Sequence, residues 1–387
     1  MFSSRLDWGL AANPLTRLLQ EKRAAGASIL DLTESNPTLA GFEYRADCIL
    51  AALADPRSIR YEPDPAGMLA ARAAVSGYYS GRVDPGRIML TSGTSEAYAF
   101  VFKLLADPGD EVLVPRPSYP LFGFLAGLES VRAIDYPLVY HAGWSIDLDA
   151  LARRITPRTR AVVLVNPNNP TGSFIKKAEL EQLISLCRDR ELAIVSDEVF
   201  SDYGLEDDPR RVRSLAGVEE VLTFSLSGLS KVAGLPQLKL AWIVTSGPEA
   251  VRKQALDRLE LIADTYLSAG TPVQWAADSL LGLRDHIQTQ ILERVRSNFG
   301  FLRSQAGPAS PWRVLETEGG WYAVIQAPRI RSEEDWVLKL LAENYVLVQP
   351  GFFFDFETEA LLVVSLLTPP EIFREGMRRI MVSADSC

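Results

Sequence analysis

The middle of the chain alternates short apolar runs with stretches of helical periodicity. Apolar runs that indicate strands lie at residues 87–90, 111–114, 161–165, 192–196, 221–225 and 240–245. Helical patterns lie between them, at residues 95–105, 118–126 and 177–190. Repeated alternation of this kind is typical of an α/β protein, in which a mostly parallel sheet is covered by helices. We therefore predict a large α/β domain built on such a sheet.

The C-terminal part of the chain has a different pattern. Residues 246–283 are largely helical, a long helix is predicted at residues 286–305, and four strand candidates follow at 313–316, 320–325, 346–349 and 361–366. This pattern indicates a smaller α+β domain. We predict three parts: an N-terminal arm at residues 1–44 that contributes to the small domain, the large domain at 45–270, and the small domain at 271–387.

Composition argues against several classes of function. The 387-residue chain has a formal net charge of −9 and no run of Lys or Arg, which argues against nucleic-acid binding. The cysteines Cys48, Cys187 and Cys387 match no metal-ligand spacing, and the only histidines are His141 and His286. We therefore expect neither a metal site nor a histidine-based triad. We also expect no signal peptide, no membrane span and a cytoplasmic location with reduced thiols.

Three loops that follow predicted strands carry polar or reactive side chains. Ser92, Gly93 and Thr94 join a strand to a helix, where such residues either cradle a phosphate or cap the helix. Asp197 directly follows an apolar strand, at the edge where open α/β sheets bind ligands. Lys231 lies among small residues after another strand. Desolvation there would lower its pKa toward nucleophilic use, whereas a lone lysine is usually a solvated surface residue.

The order of these loops along the chain matches a known family. The chain resembles the class I/II aminotransferases, which are pyridoxal phosphate-dependent enzymes of fold type I, along nearly its whole length. The matching stretches are SGTSEA (92–97), DPGDEVLVPRPSYP (107–120), NPNNPTG (166–172), SDEV (196–199) and GLSK (228–231), with YEPDPAGMLAARAAVSGYY (61–79) upstream. The combination of the asparagine-rich turn, the following acid and the later lysine is specific to this family.

The resemblance implies a role for four residues around the cofactor ring. Lys231 would form a Schiff base with pyridoxal phosphate and then act as general base and acid at the substrate α-carbon. Asp197 would pair with the pyridinium nitrogen and keep it protonated, so that the ring draws electrons from the substrate. Asn169 would hydrogen-bond on the side of the ring hydroxyl, and Tyr119 would stack on the ring.

The resemblance also implies a phosphate site and a homodimer. Ser92, Gly93 and Thr94 would hold the cofactor phosphate, and Lys239 would help to neutralise it. In the family, the tyrosine at the position of Tyr61 reaches the phosphate of the neighbouring subunit. A homodimer with shared active sites is therefore implied.

Three positions in the cofactor motifs depart from the family pattern. Phe200 stands where the family usually has a tyrosine, three residues after the aspartate, so the hydroxyl near the ring oxygen is missing. Gly228 stands where the family often has a serine, which removes one phosphate contact. Lys239 replaces an arginine and lacks the guanidinium fork.

The fourth departure concerns the substrate. Near the C-terminus the family has an arginine that binds the substrate α-carboxylate through two parallel hydrogen bonds. Val363 occupies that position here. Either the substrate is held differently, or another arginine takes the role; Arg60, Arg329 and Arg374 are the candidates.

These features lead to one functional prediction with two alternatives. We predict an aminotransferase that moves an amino group between an amino compound and a 2-oxo acid, both small molecules, without nucleic-acid or membrane partners. The first alternative is another pyridoxal phosphate reaction on the same scaffold, such as that of a β-lyase, a decarboxylase or an oxidase-like enzyme. The second is a non-catalytic relative that only binds the cofactor. The sequence does not name the substrate.

Overall fold

The computed structural model describes residues 1–9, 11–307 and 310–383. Its helices are α1 (Pro14–Ala24), α2 (Ala46–Leu53), α3 (Leu69–Tyr78), α4 (Thr94–Leu105), α5 (Phe122–Leu128), α6 (Leu148–Arg154), α7 (Lys177–Asp189), α8 (Leu229–Val232), α9 (Glu249–Asp264), α10 (Thr271–Gly282), α11 (Arg284–Gln305), α12 (Glu333–Glu343) and α13 (Pro370–Val382). None of these helices is long and apolar enough to cross a membrane.

Fourteen strands are present in the described ranges. They are β1 (Leu30–Asp31), β2 (Ile88–Thr91), β3 (Glu111–Arg116), β4 (Arg132–Tyr140), β5 (Trp144–Ile146), β6 (Thr159–Val165), β7 (Ala193–Asp197), β8 (Thr223–Gly228), β9 (Ala241–Ser246), β10 (Arg313–Val314), β11 (Tyr322–Gln326), β12 (Val346–Leu347), β13 (Gln349–Pro350) and β14 (Leu361–Ser365). Eight of them, β2 to β9, form the largest sheet.

The large sheet confirms the predicted α/β class. Its strand order is β2-β9-β8-β7-β6-β3-β4-β5. The five central strands β8, β7, β6, β3 and β4 run parallel, while β9 is antiparallel to both of its neighbours and β5 is antiparallel to β4. Because the central strands are parallel, their carboxyl ends meet at one edge of the sheet, which is where such sheets place their ligands.

The central strands are apolar on both faces because helices cover both faces. Successive side chains of a strand point to opposite sides. In β6, Val163 packs into the cluster formed with α4, α5 and α9, whereas Val162 and Leu164 pack into the cluster formed with α6 and α7. Helix α7 buries Leu180 and Leu183 at helical spacing. The result is a three-layer arrangement of helices, sheet and helices.

The smaller part of the molecule is built from both ends of the chain. An antiparallel sheet has the order β10-β11-β14-β13, and β1 pairs in parallel with β12. Helices α1, α11, α12 and α13 contribute to one apolar core with these strands. The N-terminal arm therefore packs with the C-terminal part, while the domain boundaries at residues 44/45 and 270/271 stay predictions.

Candidate active site

A cavity of about 190 Å³ lies at the carboxyl edge of the large sheet. The ends of β2, β3, β6, β7 and β8 and the segments that follow them supply most of its wall, and Ser35 after β1 and Tyr322 in β11 supply the rest. The lining residues are Ser35, Thr94, Ser95, Tyr98, Tyr119, Leu125, Val165, Asn169, Asp197, Val199, Phe200, Gly228, Ser230, Lys231 and Tyr322. Five residues singled out from the sequence thus line one cavity: Thr94, Tyr119, Asn169, Asp197 and Lys231.

Lys231 is an amine held in a largely apolar setting. Its Nζ atom lies 4.6 Å from the ring centroid of Trp321 and 5.4 Å from that of Phe200. Burial lowers the pKa of Lys231 to about 8, and the negative charge of Asp197 partly opposes this shift. The backbone is fixed by Tyr203, whose hydroxyl donates to the Lys231 carbonyl at 2.6 Å. A substantial fraction of the amine is therefore neutral near pH 8 and able to act as a nucleophile.

Asp197 is a buried carboxylate with a defined orientation. Burial raises its pKa to about 6, against the opposing effects of two hydrogen bonds and of Lys231. The Val199 N–H donates to Oδ1 at 3.2 Å, and the Tyr98 hydroxyl donates to Oδ2 at 3.1 Å. The carboxylate thus lines the cavity, and each of its oxygens is held by one hydrogen bond.

Tyr98 is a site residue that the sequence analysis missed. It is fully buried on α4, four residues after Thr94, so both side chains lie on the same face of the helix. That spacing was the available signal, but a tyrosine in an apolar helix face usually belongs to the core. Other missed lining residues are Ser35, Ser95, Ser230 and Tyr322.

The asparagine-rich turn contains one unsatisfied polar atom. Asn166 is satisfied by the Ile175 N–H and by the Val212 carbonyl, and Asn168 bonds to Ser118 and Thr171. The Oδ1 atom of Asn169, by contrast, is buried and has no hydrogen-bond partner. Buried polar side chains are rarely left without a partner. The amide of Asn169, which lines the cavity, therefore indicates a polar ligand there.

One end of the cavity is suited to an anion. Gly93 precedes the first residue of α4, and a Cβ atom added to it would lie 3.4 Å from the Nζ of Lys239. The ammonium group thus meets the N-terminus of a helix, where unpaired backbone N–H groups favour negative charge. The N–H of Ser92 is already used by the Glu96 carboxylate at 2.7 Å. The predicted phosphate residues on this chain therefore come together, with the Ser92 amide committed elsewhere.

Tyr61 does not belong to this cavity. Its side chain is 73% exposed, and it borders a separate depression beside Gly67 and Leu90. Within the described residues, Tyr61 and Lys231 line different cavities. The predicted role of Tyr61 therefore depends on a second subunit.

The structure explains two departures from the family pattern. A Cβ atom on Gly228 would lie 2.8 Å from the Cβ of Ala241 and 3.0 Å from the Leu240 carbonyl oxygen. The close approach of β8 and β9 therefore excludes a serine at this position. Phe200 is buried against Trp321, with ring centroids 5.1 Å apart, so an apolar contact replaces the missing hydroxyl.

Val363 is part of an apolar core and not of a polar anchor. It is fully buried on β14 and packs with Trp144, Phe354, Phe356 and other apolar side chains. Only Lys231 is basic among the residues that line the cavity within the described ranges. The position that carries the family arginine thus offers neither charge nor hydrogen-bond donor.

The three candidate replacements also lie outside the cavity wall. Arg60 pairs with Glu62 at 2.8 Å. Arg329 borders a separate surface depression, and Arg374 lies over the ring of Phe301 at 5.7 Å. None of these three arginines lines the Lys231 cavity of its own subunit.

Comparisons with known proteins agree with this geometry. The profile of the family "Aminotransferase class I and II" matches residues 27–380. The glutamate-pyruvate aminotransferase AlaA of Escherichia coli (strain K12) is 31% identical over 273 residues, which cover 70% of this chain and 67% of that protein. The alanine aminotransferase of Mycobacterium bovis is 30% identical over 344 residues, covering 85% of this chain and 79% of its own length.

A solved structure shows the same fold. An alanine aminotransferase from Pyrococcus furiosus superposes with a TM-score of 0.88 over 100% of both chains, at 23% sequence identity. Identity at that level supports the fold alone, whereas the family match supports the activity. Because that match covers nearly the whole chain, this protein belongs to the class I and II aminotransferases and is a pyridoxal phosphate-dependent aminotransferase of fold type I.

Proposed function

We propose that the chain transfers an amino group between an amino compound and a 2-oxo acid, with the cofactor attached covalently to Lys231. The observation that carries this proposal is the convergence of Lys231, Asp197 and Asn169 on one cavity. The residues present fit the cofactor: the unsatisfied amide of Asn169 would serve a ring hydroxyl, and the anion-binding end of the cavity would suit a phosphate. When bound, pyridoxal phosphate supplies an electron sink for the bonds at the substrate α-carbon.

The side chains of the cavity divide the remaining work. The Nζ of Lys231 takes and returns the proton at the substrate α-carbon, and a pKa of about 8 suits both directions near neutral pH. Tyr98 and Val199 hold the carboxylate of Asp197 in place, where it would accept a hydrogen bond from the ring nitrogen of the cofactor. Tyr119 would stack on the ring. Ser92, Gly93, Thr94 and Lys239 would hold the phosphate.

Covalent labelling tests the assignment of Lys231. Borohydride reduction of the holoenzyme, followed by digestion and mass spectrometry, should place the reduced cofactor on the peptide that contains Lys231. We expect Lys239, the other lysine near the site, to stay unlabelled because its ammonium is engaged at the phosphate end. Label on any lysine other than Lys231 would contradict the proposal.

We further propose that the donor is not anchored by an arginine of the C-terminal strand. The related proteins named above are glutamate-pyruvate and alanine aminotransferases, whose donors carry an α-carboxylate. Here Val363 supplies no partner for such a group, and burying an unpaired charge against an apolar cluster is costly. The donor therefore lacks a carboxylate at that point or meets a cation from outside this subunit's cavity.

A matched pair of donors tests this proposal. L-Alanine and 2-aminopropane differ in the carboxylate, and charge-assisted hydrogen bonds of about 1.5–3 kcal/mol would favour alanine by roughly 10- to 150-fold. We expect weak activity with L-alanine and L-glutamate and a preference below this range, measured as the rate of the first half-reaction by absorbance. High efficiency with L-alanine, together with a large loss of activity in Arg60→Ala, Arg329→Ala or Arg374→Ala, would contradict the proposal. It would show that another arginine binds the substrate carboxylate. Arg153→Ala, at an exposed position on α6, is the control variant.

We also propose a homodimer in which Tyr61 crosses to the partner. Four large apolar side chains of one segment are strongly exposed: Leu50, Ile59, Tyr61 and Leu69. Clustered exposed apolar groups commonly mark an interaction surface. A second copy that covers this segment would bring the Tyr61 hydroxyl to a cofactor phosphate.

The variant Tyr61→Phe tests the crossing. The variant keeps the ring and loses the hydroxyl, so we expect light scattering to show that the dimer persists. The dissociation constant of the cofactor should rise by roughly tenfold, as expected for the loss of one hydrogen bond to a charged group. Tyr79→Phe is a comparison variant because its hydroxyl bonds within the subunit, to Trp242. A stable and active monomer would contradict the proposed dimer.

The proposal of a cytoplasmic location rests on the thiols. Cys48 is exposed and Cys187 is buried, and neither is in a disulfide. Unpaired thiols of this kind are usual in reducing compartments. Cys387 lies outside the described residues.

A further inference from the structure

A second cavity, of about 370 Å³, lies apart from the Lys231 cavity and shares no lining residue with it. Its wall combines the end of α3 and the following turn, the first residue of α7, Ser201 after β7, and the segment 211–216. The lining residues are Tyr78, Tyr79, Ser80, Arg82, Val83, Lys177, Ser201, Arg211, Val212, Arg213, Ser214 and Ala216. Four of these residues are basic and none is acidic.

Two of the four basic side chains have no acidic partner. The Nε of Arg211 lies 3.7 Å from a carboxylate oxygen of Glu318 and 3.9 Å from one of Asp208. Arg213 pairs with Asp202. Within the described parts of the chain, no carboxylate oxygen lies within 4.0 Å of the charged nitrogen atoms of Arg82 or Lys177. The cavity therefore carries an excess of positive charge.

A further polar atom of the cavity wall is unsatisfied. The Nε of Arg211 is buried and has no hydrogen-bond acceptor, and its guanidinium lies 5.5 Å from the ring centroid of Phe174. A planar guanidinium presents several donors in a fixed fork, which suits carboxylate and phosphate groups. The Nη1 of Arg211 already donates to the Glu206 carbonyl at 2.6 Å, so only its Nε lacks a hydrogen-bond acceptor.

The frame that carries these charges is rigid. Lys176 and Arg211 form an isolated antiparallel bridge, and the Lys177 N–H donates to the Arg210 carbonyl at 2.8 Å. Lys177 is also the first residue of the 13-residue helix α7, whose N-terminus adds positive potential. Arg82 follows α3 from the other side. The backbone that carries Lys177 and Arg211 is therefore fixed, while the side chains of Arg82 and Lys177 are exposed and accessible to a ligand.

We propose that this cavity binds a small anion that carries phosphate or carboxylate groups. A cation or a neutral apolar molecule finds no matching partner there, because the wall is basic and contains serine hydroxyls. The volume falls within the range of small-molecule sites. The anion would contact Arg82 and Lys177, which have no carboxylate of the described residues within 4.0 Å. Arg211 and Arg213 already lie beside carboxylates of the chain and would add only to the positive potential of the wall.

Calorimetric titration of the holoenzyme tests the site, because the bound cofactor then occupies the other anion-binding position. Sodium pyrophosphate and sodium citrate are the two probes, and they distinguish phosphate from carboxylate recognition. We expect one binding event per chain with at least one probe. The double variant Arg82→Ala/Lys177→Ala should weaken it by at least about tenfold, because two charge-assisted contacts are lost.

The control is Arg153→Ala/Arg154→Ala, which removes two exposed arginines at the end of α6 and so changes the net charge equally. We expect its affinity for the probes to stay within about twofold of the unmodified enzyme, since distant surface charges are screened. A tightly bound probe should also raise the thermal midpoint of the holoenzyme but not that of the Arg82→Ala/Lys177→Ala variant. Equal affinity in the two double variants, or no binding of either probe at millimolar concentration, would overturn the proposal.

Discussion

Lys231→Ala is expected to lower the rate of amino transfer by roughly 10⁴-fold, the upper end of what acid–base catalysis contributes. The variant loses the covalent attachment point and the group that moves the α-proton, and no other amine lines the cavity within the described chain. Steady-state rates with saturating cofactor and a fixed donor measure the loss. The cofactor absorbance should also shift from that of the lysine-bound form to that of the free aldehyde.

The control for this experiment is Lys253→Ala, at an exposed position of α9. Its rate should be unchanged within about twofold. If Lys231→Ala retained more than a hundredth of the activity while circular dichroism showed a native fold, Lys231 would not be the catalytic amine. If Lys231→Ala has low activity and an unfolded spectrum, Lys231→Arg separates loss of the amine from loss of the fold. This variant keeps the positive charge and most of the side-chain volume.

Asp197→Asn is expected to stabilise the apoprotein at pH 7.5 by about 2–3 kcal/mol, although it weakens catalysis. Burial raises the pKa of Asp197 from 3.8 to about 6. Between these two values the folded state binds more protons than the unfolded state, so stability falls as pH rises, and above pH 6 the full penalty of about 3 kcal/mol is present. An amide carries no charge and avoids this penalty, and its oxygen can still accept from the Val199 N–H.

Urea unfolding of cofactor-free protein at several pH values measures this effect. The stability gain of Asp197→Asn should shrink as the pH falls below 6 and approach zero below about pH 3, where the carboxyl is protonated in both states. Asp278→Asn, at an exposed position of α10, should show no such dependence. A gain that is absent at pH 7.5, or that is independent of pH, would show that the carboxylate is not under electrostatic strain.

The sequence predicted those parts of the fold that depend on local pattern. The buried strands β6 and β7 were found because they are continuous apolar runs, and α7 was found because Leu180 and Leu183 repeat at helical spacing. Strand β4 was missed because it is only partly buried and mixes Arg132 and Asp135 with apolar residues. Helix α5 begins at Phe122, after the predicted start at 118, because Pro120 disfavours helical geometry in the residue before it.

The residues of the candidate site were likewise predicted from the sequence only in part. Asp197 is the last residue of β7, and Asn169 and Lys231 come within a few residues of the ends of β6 and β8, so motif and position sufficed to predict that they meet. Tyr98 and Tyr322 could not be placed, since each reaches the cavity through packing between elements that are distant in sequence. The exposure of Tyr61 is equally invisible to sequence pattern, because it depends on which surface a single chain leaves uncovered.

The pairing of β1 with β12 has a consequence for the order in which the molecule is assembled. Leu30 pairs with Val346, and the Ser365 hydroxyl contacts the Glu34 carbonyl across 331 residues of chain. Ser35, which follows directly, lines the Lys231 cavity. All strands of the large sheet lie before residue 247, and contacts within that sheet are available much earlier in synthesis than those with β12 and β14. A chain emerging from the ribosome can therefore complete the sheet that carries Asp197 and Lys231 while the wall that shields them from water is still being made.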